Sequence, residues 1–145
     1  MDEQSEFKEN SQAVQSHLTI LQSVIQRMAS NSSSSKAWCV TLVSAILVIV
    51  ADKGKPQYAW LALIPTILFL ALDAYYLSLE RGFRNAYNAF IKKLHEKSLQ
   101  PEDLFVVVPQ GGMLRLFFLS ILSFSVWPFY GTLAGMIYAA KALVI

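Results

Sequence analysis

Three apolar runs, Ala37 to Ala51, Tyr58 to Leu79 and Met113 to Ile145, gather most of the hydrophobic side chains, and the segments around them carry nearly all the charge. A chain segregated in this way has few options. Runs this long with so little charge are at home in lipid, where every backbone donor and acceptor must be satisfied within the protein itself. Composition agrees: 54% of the 145 residues are hydrophobic and only 15% charged, unusual proportions for a soluble fold of this size. The fold class read from the pattern is an all-α integral membrane protein with about four membrane segments.

Before the first run, the stretch from about Glu3 to Ala29 has no proline or glycine and places Phe7, Val14, Leu18, Leu21, Ile25 and Met28 close to a heptad seam. Ser11 fills the skipped position. This reads as an amphipathic helix (residues 1–30) that must pack against something. Asn31 and Ser32 to Ser35 then predict a short hinge (31–36), because serine hydroxyls compete for backbone hydrogen bonds and favour caps over helix interiors.

Ala37 to Ala51 is fifteen residues, short for a full crossing, but Lys36 can snorkel and the bilayer can thin. The brief stretch Asp52 to Gln57 makes the two flanking helices a hairpin (37–79). In the second span, Tyr58, Trp60, Tyr75 and Tyr76 fall where interfacial aromatic belts belong. Glu80 to Lys97 continues as an amphipathic helix ended by Ser98 and Pro101, within a basic segment and loop (80–110). Leu104 to Val108 fits a strand, a loop or an interfacial segment equally. Met113 to Ile145, thirty-three residues, would form a helix of about 50 Å against a hydrocarbon core of about 30 Å, so a break near Trp127, Pro128 and Gly131 predicts a C-terminal hairpin (111–145); a single kinked span is the alternative.

Charge gives an orientation. With the N-terminus cytoplasmic, that side receives Arg27, Lys36, Arg81, Arg84, Lys92, Lys93 and Lys97, while the turn receives Lys53 and Lys55. A closing hairpin would return the C-terminus to the cytoplasm together with Arg115 and Lys141. The acidic, amphipathic start reads against a cleaved signal peptide. The expected topology is a multi-pass membrane protein with both termini inside.

Asp73 is the acid within a clear span, and a carboxylate in hydrocarbon costs about 2.5–3.5 kcal/mol at a helix centre. It either joins Thr66 and Phe69 or Leu70 in lining a pore, or pairs structurally with Arg81 or Lys36. Gly131 and Gly135, extended by Ala139, form a small-residue stripe suited to close helix approach, between chains or within one. The bases Arg81, Arg84, Lys92, Lys93 and Lys97, with His95, fit either lipid-surface docking or a phosphate-bearing ligand stacked on Tyr87 and Phe90. The lone Cys39 can make no internal disulfide and reads as a small buried hydrophobe. His17 and His95 lack partners at ligand spacing and are predicted to be solvated. No nucleophile motif, paired carboxylates, phosphate-cradling glycine loop or metal spacing is visible, so neither an enzyme, a metal nor a cofactor is expected.

The order of elements, a soluble helix, a close hairpin from Ala37 to Leu79 and a cytoplasmic amphipathic helix from Arg81 to Lys97, resembles the small SLATT-type and related multi-span effectors of bacterial nucleotide-signalling defence, including the Hailong-type channel effector. The resemblance is one of architecture and covers roughly residues 5 to 97. It implies a homo-oligomeric channel or pore in a bacterial inner membrane, closed until a cytoplasmic partner protein or an oligonucleotide or cyclic-nucleotide signal changes its state. The seam from Phe7 to Met28 would then assemble or gate it. The rival from a different class is a non-conducting membrane adaptor that recruits its partner through the first helix.

Overall fold

The structure, a computed structural model, describes residues 7–143. Four helices carry the chain: α1 (Gln12–Lys53), α2 (Leu63–His95), α3 (Met113–Ile121) and α4 (Trp127–Leu143), with short 3₁₀ helices at Pro56–Ala62 and Pro101–Asp103. No strand occurs among the described residues. Both α1 and the Pro56–His95 rod are long and apolar enough to cross a membrane.

The first helix begins later than the seam suggests. Ser11 is its N-cap, with the side-chain oxygen accepting from the Val14 amide, so Phe7 lies before the helix. It still reaches the seam, packing beside Val14, Leu18, Phe90 and Leu94. The part of the expected helix before Phe7 falls outside the described residues.

No hinge interrupts α1. It runs unbroken through Asn31–Ser35 for 42 residues, about 63 Å at 1.5 Å per residue. The two buried serines stay helical because their hydroxyls find acceptors without unwinding the chain: Ser35 Oγ donates to the Asn31 carbonyl at 3.0 Å, and Ser32 Oγ donates across to Asp73. Their small size also lets α2 approach closely. Gly54 ends the helix in the left-handed conformation (φ 57°), where its N–H and that of Lys55 close onto the Ala51 and Val50 carbonyls.

The chain then reverses, and α2 returns antiparallel to α1 along most of its length. Val14 packs with Phe90 and Leu94, Leu21 with Phe83 and Ala86, Ser32 meets Asp73, and the Cys39 thiol lies 3.9 Å from the Pro65 carbonyl. Pro65 is tolerated because it falls in the first turn of α2, where a missing N–H leaves no bond unmade. Span and amphipathic segment are thus one rigid helix. Its far end closes on Lys97 at φ 56°.

Residues 96–112 fold back as a strap over the lower ends of α1 and α2. The open reading of Leu104 to Val108 resolves to irregular backbone, anchored by the Gln110 amide on the Gly82 carbonyl (2.9 Å) and Asn85 Nδ2 on the Gln110 carbonyl (3.0 Å). Gly82 makes the crossing possible: a Cβ there would stand 2.7 Å from Pro109 Cβ.

The C-terminal stretch does not form a hairpin. Gly111, just before α3, sits beside Asn85, Tyr130 of α4 donates to the Phe69 carbonyl at 3.0 Å, and Lys141 Nζ lies 4.8 Å above the Trp60 ring. These partners climb α2 steadily toward the turn, so α3 and α4 form one broken rod beside the α1–α2 pair. Pro128 sets the break. Its ring cannot follow a helical Phe124 carbonyl, so α3 stops at Ile121 and Pro128 enters the first turn of α4. The apolar core then joins three rods, with Val126, Tyr130, Leu133 and Ile137 meeting Cys39, Val43, Val50, Ala59 and Ala62. Residues Gln12 and Leu143 accordingly lie at opposite ends of the molecule.

Candidate functional site

Where the polar lower half of the α1–α2 pair meets the apolar upper half, three side chains converge. Asp73 is fully buried; Lys36 Nζ lies 2.5 Å from its Oδ2, Ser32 Oγ donates to its Oδ1, and Lys36 Nζ also lies 3.4 Å from Ser32 Oγ. Ser35 is buried one turn away on the same helix. The arrangement follows from helix geometry, since Ser32 and Lys36 are four apart and share the face that meets α2. A buried carboxylate needs its charge matched and its lone pairs filled, and the cluster supplies a cation and a hydroxyl. Of the pairings open in the sequence, the structure selects Lys36. Arg81 lies two turns farther down α2.

Thr66 shares the buried face but satisfies itself, donating to the Ala62 carbonyl at 2.7 Å. Phe69 and Leu70 pack against the apolar core. Asp73 and Thr66 therefore face the chain's own helices, not the outer surface that a neighbouring copy would touch. Cys39 is buried there as a small hydrophobe.

The seam is likewise used within the chain. Val14 and Leu18 pack on Phe90 and Leu94, and Leu21, Ile25 and Met28 pack around Phe83, Ala86, Leu79 and Tyr87. The partner the seam requires is α2. Phe90 lies beneath this packing and offers no stacking face to a ligand. On the basic segment, Arg84 pairs with Glu80 (2.8 Å), Lys93 with Asp103 (2.7 Å) and Lys92 loosely with Glu96 (3.9 Å), so much of the positive charge is matched locally. The glycine stripe points the other way. Gly131 and Gly135 are exposed, with nothing within 4 Å of an added Cβ, which removes the reading in which they seat α4 inside the chain.

His17, predicted to be solvated, is buried. Its Nδ1 accepts the Phe105 amide at 2.9 Å, and its ring lies 4.2 Å from that of Phe90. Phe105 holds φ 62°, an unfavourable region for a non-glycine residue, so the bond to His17 secures a strained turn of the strap. Accepting at Nδ1 requires a neutral ring. Burial pushes the imidazole below its ordinary pKa, with Asp103 partly opposing the shift; Asp103 is itself held low by the hydrogen bond from Lys93 and by the Gln100 amide. The sequence offered a weak sign of this, since His17 sits three residues after Val14 and four before Leu21, on the seam side of the helix.

No protein family, curated protein or solved structure matches the chain.

Proposed function

We propose that this protein is a signal-gated membrane channel built from several copies of the chain, of the kind used by small bacterial defence effectors. The apolar upper half crosses the bilayer as three rods, and the α1–α2 stalk with its strap stands in the cytoplasm. The base count supports that orientation. Arg27, Lys36, Arg81, Arg84, Lys92, Lys93, Lys97 and Arg115 lie toward the stalk, against Lys53, Lys55 and Lys141 toward the turn. Three crossings place the C-terminal end of α4 outside, in place of the inside position that a hairpin would give.

The observation that carries the reading is the buried Asp73–Lys36–Ser32 cluster at the joint between stalk and spans. Because α1 and α2 pass through this joint without a break, a signal that shifts one stalk helix against the other is transmitted to the ion pair. In the closed state Lys36 neutralises the carboxylate; separating the pair would present Asp73 to a water-filled path, where a carboxylate favours cations. The outward glycine stripe supports contact between copies in the bilayer.

Planar-bilayer recording of the purified protein tests this. Lys36→Gln should raise spontaneous current, and Asp73→Asn should change conductance or cation preference while insertion is retained. Silence from an assembled, inserted protein under every candidate signal would favour the adaptor reading, which draws support from the way both Asp73 and the seam are enclosed by one chain.

A further inference from the structure

We propose that the groove at the turn end of the bundle binds one anionic phospholipid of the surrounding bilayer, an inference that rests on the membrane reading above. The groove measures about 400 Å³, within the range of about 300–1,000 Å³ usual for ligand pockets. Its floor is apolar: Ile46, Ile49 and Val50 from the last turns of α1, and Leu61 from the 3₁₀ helix. Its rim is cationic, formed by Lys53, Lys55 and Tyr58.

Local backbone geometry makes this cleft. Gly54 turns the chain sharply out of α1, and Pro56 then starts a 3₁₀ helix rather than an α-helix, so the returning segment leaves a channel beside the last turns of α1. Ile49 and Leu61 remain 60% and 51% exposed along it. The groove points from the level of Lys53 down into the apolar layer by about two turns, from residue 53 to residue 46 of α1. That is the profile of a lipid at a bilayer boundary: an acyl chain against the isoleucines and a phosphate at the lysines. Asp52 is the acid nearest the rim, and it lies 3.8 Å from Lys53 with both side chains largely in solvent, which leaves the ammonium group accessible to a phosphate. Lys55 stands 5.8 Å over the Tyr58 ring, which holds it on the groove side. A zwitterionic headgroup would bring its own cation against these two, so charge selects an anionic one.

The test uses the full chain in nanodiscs of mixed phosphatidylglycerol and phosphatidylcholine, extracted in mild detergent, with retained lipid measured by native mass spectrometry. Wild type should retain phosphatidylglycerol in preference to phosphatidylcholine. Each lysine beside an anionic group is worth a factor of about five, so Lys53→Gln/Lys55→Gln should abolish most of that preference, and the control Lys8→Gln/Arg27→Gln should keep it. Ile49→Trp, which fills the floor, should lower retention of both lipids. Equal retention of the two lipids by wild type, or an unchanged preference in Lys53→Gln/Lys55→Gln, would overturn the site. Alkaline carbonate extraction of membranes from the expressing cells separates the two levels of failure. Protein released by carbonate sinks the membrane reading and the groove with it, whereas protein retained without lipid preference sinks the groove alone.

Discussion

Removing Lys36 should cost more than removing the charge of Asp73, although the two form one ion pair. The reason is their unequal access to water: the Lys36 side chain is 20% exposed and that of Asp73 is not exposed at all. In Lys36→Met the carboxylate stays buried against α1 with no cation, keeping only the Ser32 bond and the nearby Tyr130 hydroxyl. Stranding a buried charge costs about 3–5 kcal/mol. In Asp73→Asn the amide oxygen still accepts from Ser32, and the orphaned lysine can extend toward the aqueous side, so the loss should be about 1.5–3 kcal/mol, the scale of a hydrogen bond to a charged group. Lys36→Met/Asp73→Leu removes both charges and fills the space with apolar atoms. It should be more stable than Lys36→Met alone, because a hydrophobic replacement of a buried pair is often neutral. Equilibrium unfolding in mixed micelles, followed by circular dichroism, measures all three. A Lys36→Met loss below that of Asp73→Asn, or a double variant no better than Lys36→Met, would refute the reasoning that Asp73 is closed off from water.

Acid should loosen the strap. His17 has its pKa lowered in the folded state, so the unfolded chain binds the proton more readily; the stabilisation is complete above the ordinary value of 6.5 and declines as pH falls from there toward the folded value. Asp103, Glu102 and Lys93 share the small cavity with His17, and of these the acid Asp103 opposes the shift. The protection factor of the Phe105 amide, its exchange rate set against an intrinsic rate that itself falls in acid, should therefore drop between pH 7.5 and pH 5, and His17→Gln should flatten that drop; equal pH profiles would contradict it. Gly82→Ala forces its new carbon to within 2.7 Å of Pro109, and such overpacking should cost about 1–3 kcal/mol in thermal unfolding. Gly131→Ala meets nothing within 4 Å and should leave subunit stability unchanged or raise it by about 0.5–1 kcal/mol, while Gly131→Leu should reduce the oligomer seen by crosslinking in membranes. An oligomer indifferent to leucine there would remove the stripe from the interface.

The all-helical class, the close hairpin and the continuity of the second span with its basic extension were all legible, because long apolar runs and 3.6-residue spacing are local signals. The serine run was not. Ser32 to Ser35 weaken an isolated helix, yet α2 supplies Asp73 as an acceptor and close packing as compensation, and nothing local to the serines encodes that partner. The same limit explains the C-terminal stretch. Pro128 marks a break, but whether the chain turns back or continues after it depends on where Val126, Tyr130, Leu133 and Ile137 find a surface, and that surface belongs to α1 and the turn. For Asp73 the sequence left a pore-lining role beside pairing with Arg81 or Lys36, and of the two bases the tertiary fold picked Lys36. His17 was misread because a histidine among glutamines resembles a solvated one; the element that covers it, the strap at Phe105, is 88 residues away. The direction of Gly131 and Gly135 required the register of α4, which the spacing of the glycines alone does not give.

The proposed topology has three crossings, with Gln12 and Leu143 on opposite sides of the membrane. Single cysteines at Gly54, Ser98 and Leu143, placed one at a time in a Cys39→Ala background, can be labelled in intact cells with a membrane-impermeant maleimide and again after permeabilisation. Labelling of Gly54→Cys and Leu143→Cys from outside, with Ser98→Cys reached only after permeabilisation, is the expected result. Leu143→Cys behaving like Ser98→Cys, or all three positions labelling alike, would contradict it.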